Sequence, residues 1–322
     1  LIVVPNMLKF ILMTVLFLPI VVESKDRWTF ENSKAWPTTY KYCGGNLQSP
    51  IDLNFQISHV DPRLKQLYFK ELYSREPLEL SNNGYSAQLE LKNHYVLKNV
   101  APESEDYKVE QIHFHWGHSE DYVNGSEHLL EGLPYPLEMH IVTYSSWFSN
   151  FSEAVKNTRA LAVIGVFFEF GKEDNPLLEP IVKTLEHIQH KGQTVFIHGN
   201  FDLKALIDEK RLYRYYRYDG SLTNPPCYES VIWNVLPEPL QLSVKQLNAF
   251  LTLRAEKSQL IKNTYRSIQP LGSRKLFRSF YSLDVQEDDI QRKILVSKGH
   301  DQYSFANMKF SFVLISLLLF II

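Results

Sequence analysis

Three histidines in two apolar segments are the residues most able to do chemistry in this chain: Gln111-Ile112-His113-Phe114-His115-Trp116-Gly117 and Leu137-Glu138-Met139-His140-Ile141-Val142. Side chains two apart on a strand project from the same face. If both segments are strands, His113 and His115 point one way, and His140 from a neighbouring strand completes a trio. Three neutral imidazoles with one open position suit a catalytic zinc, whereas a structural zinc is closed by four protein ligands. A lone His-x-His in a half-buried strand is more often a hydrogen-bonded pair. Here each segment also carries an acceptor, because Gln111 precedes His113 by two residues and Glu138 precedes His140 by two. Metal-bound imidazoles usually donate their other ring N–H to such a group, which fixes the tautomer.

The elements that must position these residues read mainly as strands. Period-2 runs cover Tyr85 to Lys92, Tyr107 to Trp116, Glu138 to Tyr144, Leu161 to Phe170 and Val231 to Leu236. Asn82-Asn83-Gly84 and Asn124-Gly125 are turn signals between them. Helices are expected from Asn175-Pro176-Leu177 to about His187, from Asp202 to Asp208, and from Ser243 to Ala255. Ser243 would cap the last, with Gln246 completing a capping box. Strands with irregularly placed helices predict an α+β fold without βαβ alternation. His187, His190 and His198 read as a solvated face and loop rather than a second metal site.

The chain has 322 residues, a formal charge of −2 and 13% aromatic residues, enough for one substantial β-rich core. No basic stripe is present to neutralise phosphates, so nucleic acid is not an expected partner. Met7-Leu8-Lys9-Phe10 opens an apolar run to Val22, followed by Glu23 and Ser24, which reads as a secretory signal cut after Ser24. Phe310 to Ile322 is almost wholly apolar but short of the roughly 20 residues that span a bilayer as a helix. A polar spacer from His300 to Lys309 and the small residues Ser297 and Gly299 fit a GPI-attachment signal, with Ser297 as the attachment residue. The expected organisation is therefore upstream residues and signal over 1–24, a catalytic domain over 25–285, a linker over 286–299, and a removed signal over 300–322. A tail-anchored helix is the alternative.

Two cysteines in an exported chain have one possible pairing, Cys43 with Cys227. The sequons Asn124-Gly125-Ser126 and Asn150-Phe151-Ser152 fit the same compartment. The expected location is the extracellular face of the plasma membrane, held by a lipid anchor.

Beyond the histidines, Gly125-Ser126-Glu127-His128, Ser221-Leu222-Thr223-Asn224-Pro225-Pro226, Gln48-Ser49-Pro50-Ile51 and Gln269-Pro270-Leu271 occur in order along the chain. Together these segments resemble the signature of the α-class carbonic anhydrases, from about Trp28 to about Ser282. The resemblance implies a single α+β domain around a large, twisted, mostly antiparallel sheet with peripheral helices. It also implies Zn2+ on His113, His115 and His140, and reversible hydration of carbon dioxide to bicarbonate by zinc-bound hydroxide. Weak esterase activity and binding of sulfonamide inhibitors would follow.

Carried across by the same resemblance, Gln111 and Glu138 orient His113 and His140, while His115 uses a backbone carbonyl. Thr223 accepts from the hydroxide and donates to Glu127, which turns a lone pair toward the substrate. Val142, Val163, Leu222 and Trp233 form the apolar wall for carbon dioxide, with Thr223 beside them, and Asn224 contacts bicarbonate. The Cys43–Cys227 pairing matches the disulfide of exported members. A non-catalytic adhesion module on this fold is the competing class, and such relatives typically lack the ligand histidines. A zinc peptidase would need a His-Glu-x-x-His helix, which is missing.

Two positions depart from the family pattern. Where the fastest members place a histidine after Asn-Gly to export protons, Asn83-Gly84 is followed by Tyr85. A phenol titrates near 10 and an imidazole near 6.5, so only imidazole matches a donor near 7. Glu110 replaces what is often an apolar rim residue.

Overall fold

The computed structural model describes residues 28–282, apart from 75, 102–104, 119–122 and 198–200. Within them a twelve-stranded sheet dominates. Its centre runs in the order Ala87–Glu90, Tyr107–Trp116, Leu137–Ser145, Leu161–Phe170, Val231–Leu242 and Tyr216–Gly220. Neighbours in this centre are antiparallel, except that Leu161–Phe170 and Val231–Leu242 run parallel. The mostly antiparallel α+β architecture expected from the sequence is the one observed.

Alternation decides which side chain goes where. Ile112, Phe114, Met139, Ile141 and Ile164 point to the larger core on one face, each fully buried. Burial of each such side chain stabilises the fold by about 1.5–3 kcal/mol. The opposite face carries Val142, Val163, Tyr218 and Trp233 in a second apolar cluster. Between these clusters the register pairs Gln88 with His113, His113 with His140, and His115 with Glu138. Gly165 faces His140 on the next strand. A Cβ there would sit 3.1 Å from the Glu138 carboxylate and 3.3 Å from Val235, so a larger residue would crowd Glu138.

The helices are short and peripheral. Val244–Phe250 has the expected capping box, with Ser243 Oγ accepting from Gln246 N–H at 3.0 Å and Gln246 Oε1 accepting from Ser243 N–H at 3.2 Å. It ends five residues before Ala255. The helix expected from Asp202 to Asp208 is Leu203–Ile207, capped by the Asp202 side chain. The helix expected from Asn175 begins at Glu179 and closes in a 3-10 turn at His187. Asn175 N–H is instead taken by Gln246 Oε1 at 2.8 Å. Val231–Leu242 continues past the expected Leu236, carrying Pro237 and Pro239 through a register shift opposite Val166 and Phe168.

Cys43 and Cys227 form a disulfide across 184 residues. It lies in an aromatic cluster with Trp36, packed by Trp28, Phe30 and Tyr40. This cluster lays the 28–36 segment over the edge of the histidine face, where Phe30 lies edge-on to His115. No helix among the described residues is long and apolar enough to cross a membrane.

Candidate metal centre and active-site cavity

His113, His115 and His140 sit at one end of a cavity of about 210 Å³. Each ring is held from behind. Gln111 Oε1 lies 3.0 Å from His113 Nδ1, and the Thr264 carbonyl meets His115 Nδ1. Glu138 Oε1 lies 2.7 Å from His140 Nε2. These three partners accept, so each imidazole spends its one proton outward as a neutral ring. The inward nitrogens are then bare acceptors, and His115 Nε2 and His140 Nδ1 face each other at 3.0 Å. The three potential ligand atoms lie within 4.8 Å of one another. Converging acceptors with no proton to share fit a divalent cation, and an all-imidazole donor set suits zinc.

Burial depresses all three rings below the ordinary histidine range, His115 to about 3. Neighbouring imidazoles add to this for His113 and His115. The rings are thus neutral ligands at physiological pH.

Glu138 is fully buried and saturated. Its Oε1 also accepts from His128 Nδ1 at 2.7 Å, and its Oε2 accepts from the N–H groups of Glu127 and His128, both at 2.8 Å. Burial alone would raise its pKa, but His128 and His140 overcome that and hold the carboxyl well below its usual range. His128, Glu138 and His140 also cluster closely enough for a metal. Their hydrogen bonds to one another make them a network instead. It extends through His128 Nε2 to the Tyr218 hydroxyl at 2.7 Å, and from there to Ser49 Oγ at 2.9 Å.

Glu127 lies on the inner side of this network. Its Oε1 accepts from Arg266 N–H at 2.9 Å, and its Oε2 is 3.5 Å from His115 Nε2. Burial pushes this carboxyl well up, opposed first by the Thr223 hydroxyl and then by Arg266. A divalent cation on the histidines would add a stronger opposing charge.

The remaining cavity wall gathers residues from distant parts of the chain. Val142, Val163, Leu222 and Trp233 line one side, with Thr223 and Asn224 at their edge. Val142 and Val163 are direct cross-strand partners, and Val163 is in turn opposite Trp233. Trp233 is further fixed by donating to the Ser221 carbonyl at 3.0 Å. Tyr85 lines the mouth and stacks on Trp28 at 4.0 Å.

Sequence reasoning did not find Phe30, Gln88 or Phe151 in this wall. Gln88 was within reach, because it alternates with Glu90 on a strand paired with the His-x-His strand. His128 and Arg266 were also missed as supports. Asn150 is exposed and caps Phe151–Ala154 through its side-chain oxygen, while Asn124 lies in the loop before Gly125. Ser297 and the two terminal signals lie outside the described residues.

The sequence pattern of the eukaryotic-type carbonic anhydrases matches residues 31–280. The chain belongs to that family. It is 35% identical to human "Carbonic anhydrase 12" over 272 residues, covering 81% of this chain and 75% of the relative. Bovine "Carbonic anhydrase 6" is 31% identical over 291 residues, covering 88% and 90%. Human "Carbonic anhydrase 5A, mitochondrial" is 35% identical over 272 residues, covering 79% and 87%. The protein is therefore a zinc lyase that interconverts carbon dioxide and bicarbonate. The anhydrase fold, the disulfide and a histidine trio able to hold zinc are all present in its structure.

Proposed function

We propose that His113, His115 and His140 hold the catalytic zinc and that Thr223 and Glu127 orient the nucleophile for attack on carbon dioxide. The observation that carries this reading is the set of three outward-bonded, inward-bare imidazoles opening onto a cavity with an apolar wall. Bound zinc supplies water acidified to a pKa of about 7, a value established for carbonic anhydrases in general. The protein's own groups do the rest. Thr223, with its hydroxyl hydrogen directed to Glu127, can only accept from the nucleophile, and this fixes the direction of attack. Val142, Val163, Leu222 and Trp233 hold a linear apolar substrate without binding it tightly. Asn224 meets the polar product, and Gln111 and Glu138 keep two rings in the metal-binding tautomer.

We further propose that the catalytic domain spans 25–285 and is exported, glycosylated at Asn124 and Asn150, and lipid-anchored through Ser297. The disulfide supports an oxidising compartment, and the sequons and the Phe310–Ile322 run support the remainder.

One combined experiment tests the activity: zinc content, carbon dioxide hydration and sulfonamide inhibition measured on one preparation. One zinc per chain, with hydration lost in His115→Ala, is expected. Full hydration by a zinc-free His115→Ala variant would refute the assignment. Release of surface protein by a GPI-specific phospholipase tests the anchor, and retention after treatment refutes it.

A further inference from the structure

The hydration reaction leaves one proton in the cavity per turnover, and the mouth residue Tyr85 is a stacked phenol. The cavity face offers another acceptor. Gln88 is paired with His113 and Glu90 with Gln111, so Glu90 lies on the same face one two-residue step outward from His113. That step is roughly 7 Å along a strand. Lys92 continues the same alternation. On the neighbouring strand a bulge between Val109 and Gln111 interrupts the register. Val109 and Ile112 still enter the core, the bulge leaves Glu110 and Gln111 together outside it, and Gln111 lines the cavity.

The side chains close into one cluster. Cavity-lining Gln88 donates to Glu90 Oε1 at 2.6 Å. Lys92 Nζ lies 3.0 Å from Glu90 Oε2 and 3.3 Å from Glu110 Oε1. Two carboxylates share one ammonium, so the cluster carries a net negative charge that attracts a proton. The other ionisable groups facing it are Tyr144, from the strand beyond, and Lys108, whose ammonium lies over the Tyr144 ring.

We propose that the Glu90–Lys92–Glu110 cluster is the proton-release station of this enzyme. It takes the proton of each hydration from cavity water and passes it to buffer in bulk solvent. In the first step an O–H bond to cavity water breaks and one forms on a carboxylate of the cluster. In the second, that O–H breaks again as a buffer base takes the proton, and the carboxylate is regenerated. Glu110 is the better placed of the two to hold the proton. Burial raises its pKa from the ordinary glutamate value, against the pull of Lys92, and so narrows its gap to a donor near 7. The proposal rests on the carbon dioxide hydration reading above.

The test separates proton release from the interconversion step. Glu90→Gln, Glu110→Gln and the double variant keep side-chain size and are compared with wild type in zinc content and melting temperature. In dilute, bulky buffer the double variant is expected to lose roughly threefold or more of kcat with kcat/KM unchanged, since only proton export is slowed. Added imidazole should bring its kcat back to the wild-type value. An unchanged kcat in dilute buffer overturns the proposal, as does a loss that imidazole does not restore or an equal fall in kcat/KM. Zinc-loaded wild type without any hydration would refute the functional reading, and this proposal with it.

Discussion

Replacing Glu138 by Gln should damage the metal centre more than any change of comparable size around it. Four donors converge on this fully buried carboxylate: the ring N–H groups of His128 and His140, and the backbone N–H groups of Glu127 and His128. An amide offers one oxygen and turns its NH2 toward two of them. Two bonds to a charged acceptor are lost, at about 1.5–3 kcal/mol each, so stability should fall by about 3–6 kcal/mol before relaxation. Zinc affinity depends on the His140 bond alone, and loss of such an orienting partner typically costs about 10–100-fold. Gln111→Ala is the internal control. His113 is less deeply buried and water can replace the amide, so both losses should be smaller, about 1 kcal/mol in stability. Competition with a chelator gives the zinc dissociation constants, and denaturant unfolding gives the stabilities. If Glu138→Gln bound zinc within roughly threefold of wild type, or if Gln111→Ala were the worse variant, the account of how the rings are held would be wrong.

Cys227→Ser should destabilise the fold by up to about 5 kcal/mol, the chain-entropy value for a crosslink spanning 184 residues. A shift in the unfolding midpoint worth under about 1 kcal/mol would count against it. Metal-free protein should lose stability as pH falls from about 6.5 toward about 3: the buried rings stay neutral while the unfolded chain takes up protons. Glu127, raised by burial, acts with the opposite sign above the usual carboxylate range, so Glu127→Gln should steepen that slope, and melting curves across the window would check both. Tyr85→His should raise kcat in dilute buffer without altering kcat/KM, because imidazole matches a donor near 7 and a phenol does not. Stopped-flow hydration measures this, and an unchanged kcat would mean that proton export is not limiting.

How much of this was legible beforehand follows from which interactions are local. Tyr107–Trp116 and Leu161–Phe170 match their expected bounds because each shows alternation along its own length. His113, Gln111, His140 and Glu138 were readable for the same reason, since a two-residue step on a strand fixes a shared face. The alternation over Val231–Leu242 reads only to Leu236, since Pro237 and Pro239 cannot donate to a ladder. The structure absorbs them in a register shift that no local pattern announces. The acceptor for His115 is a backbone carbonyl at Thr264, 149 residues away, and it has no side chain to betray it.

The same distinction explains the supports of the active site. His128 stands next to Glu127 in the sequence but works on Glu138, through a chain bend that brings residues ten apart into contact. Arg266 reaches Glu127 through its own amide while its guanidinium donates to Gln48, Ser49 and Cys43, so the loop beside the disulfide and the Glu127 carboxylate share one residue. Neither could be inferred from spacing, because each is specified by tertiary packing. Glu110 sits between these cases. Its identity marked it as unusual, but its orientation depends on a bulge, and without that extra residue Glu110 and Gln111 could not both stay out of the core. A metal site built from strand alternation is therefore readable from sequence, whereas the route by which its protons leave depends on where that alternation breaks.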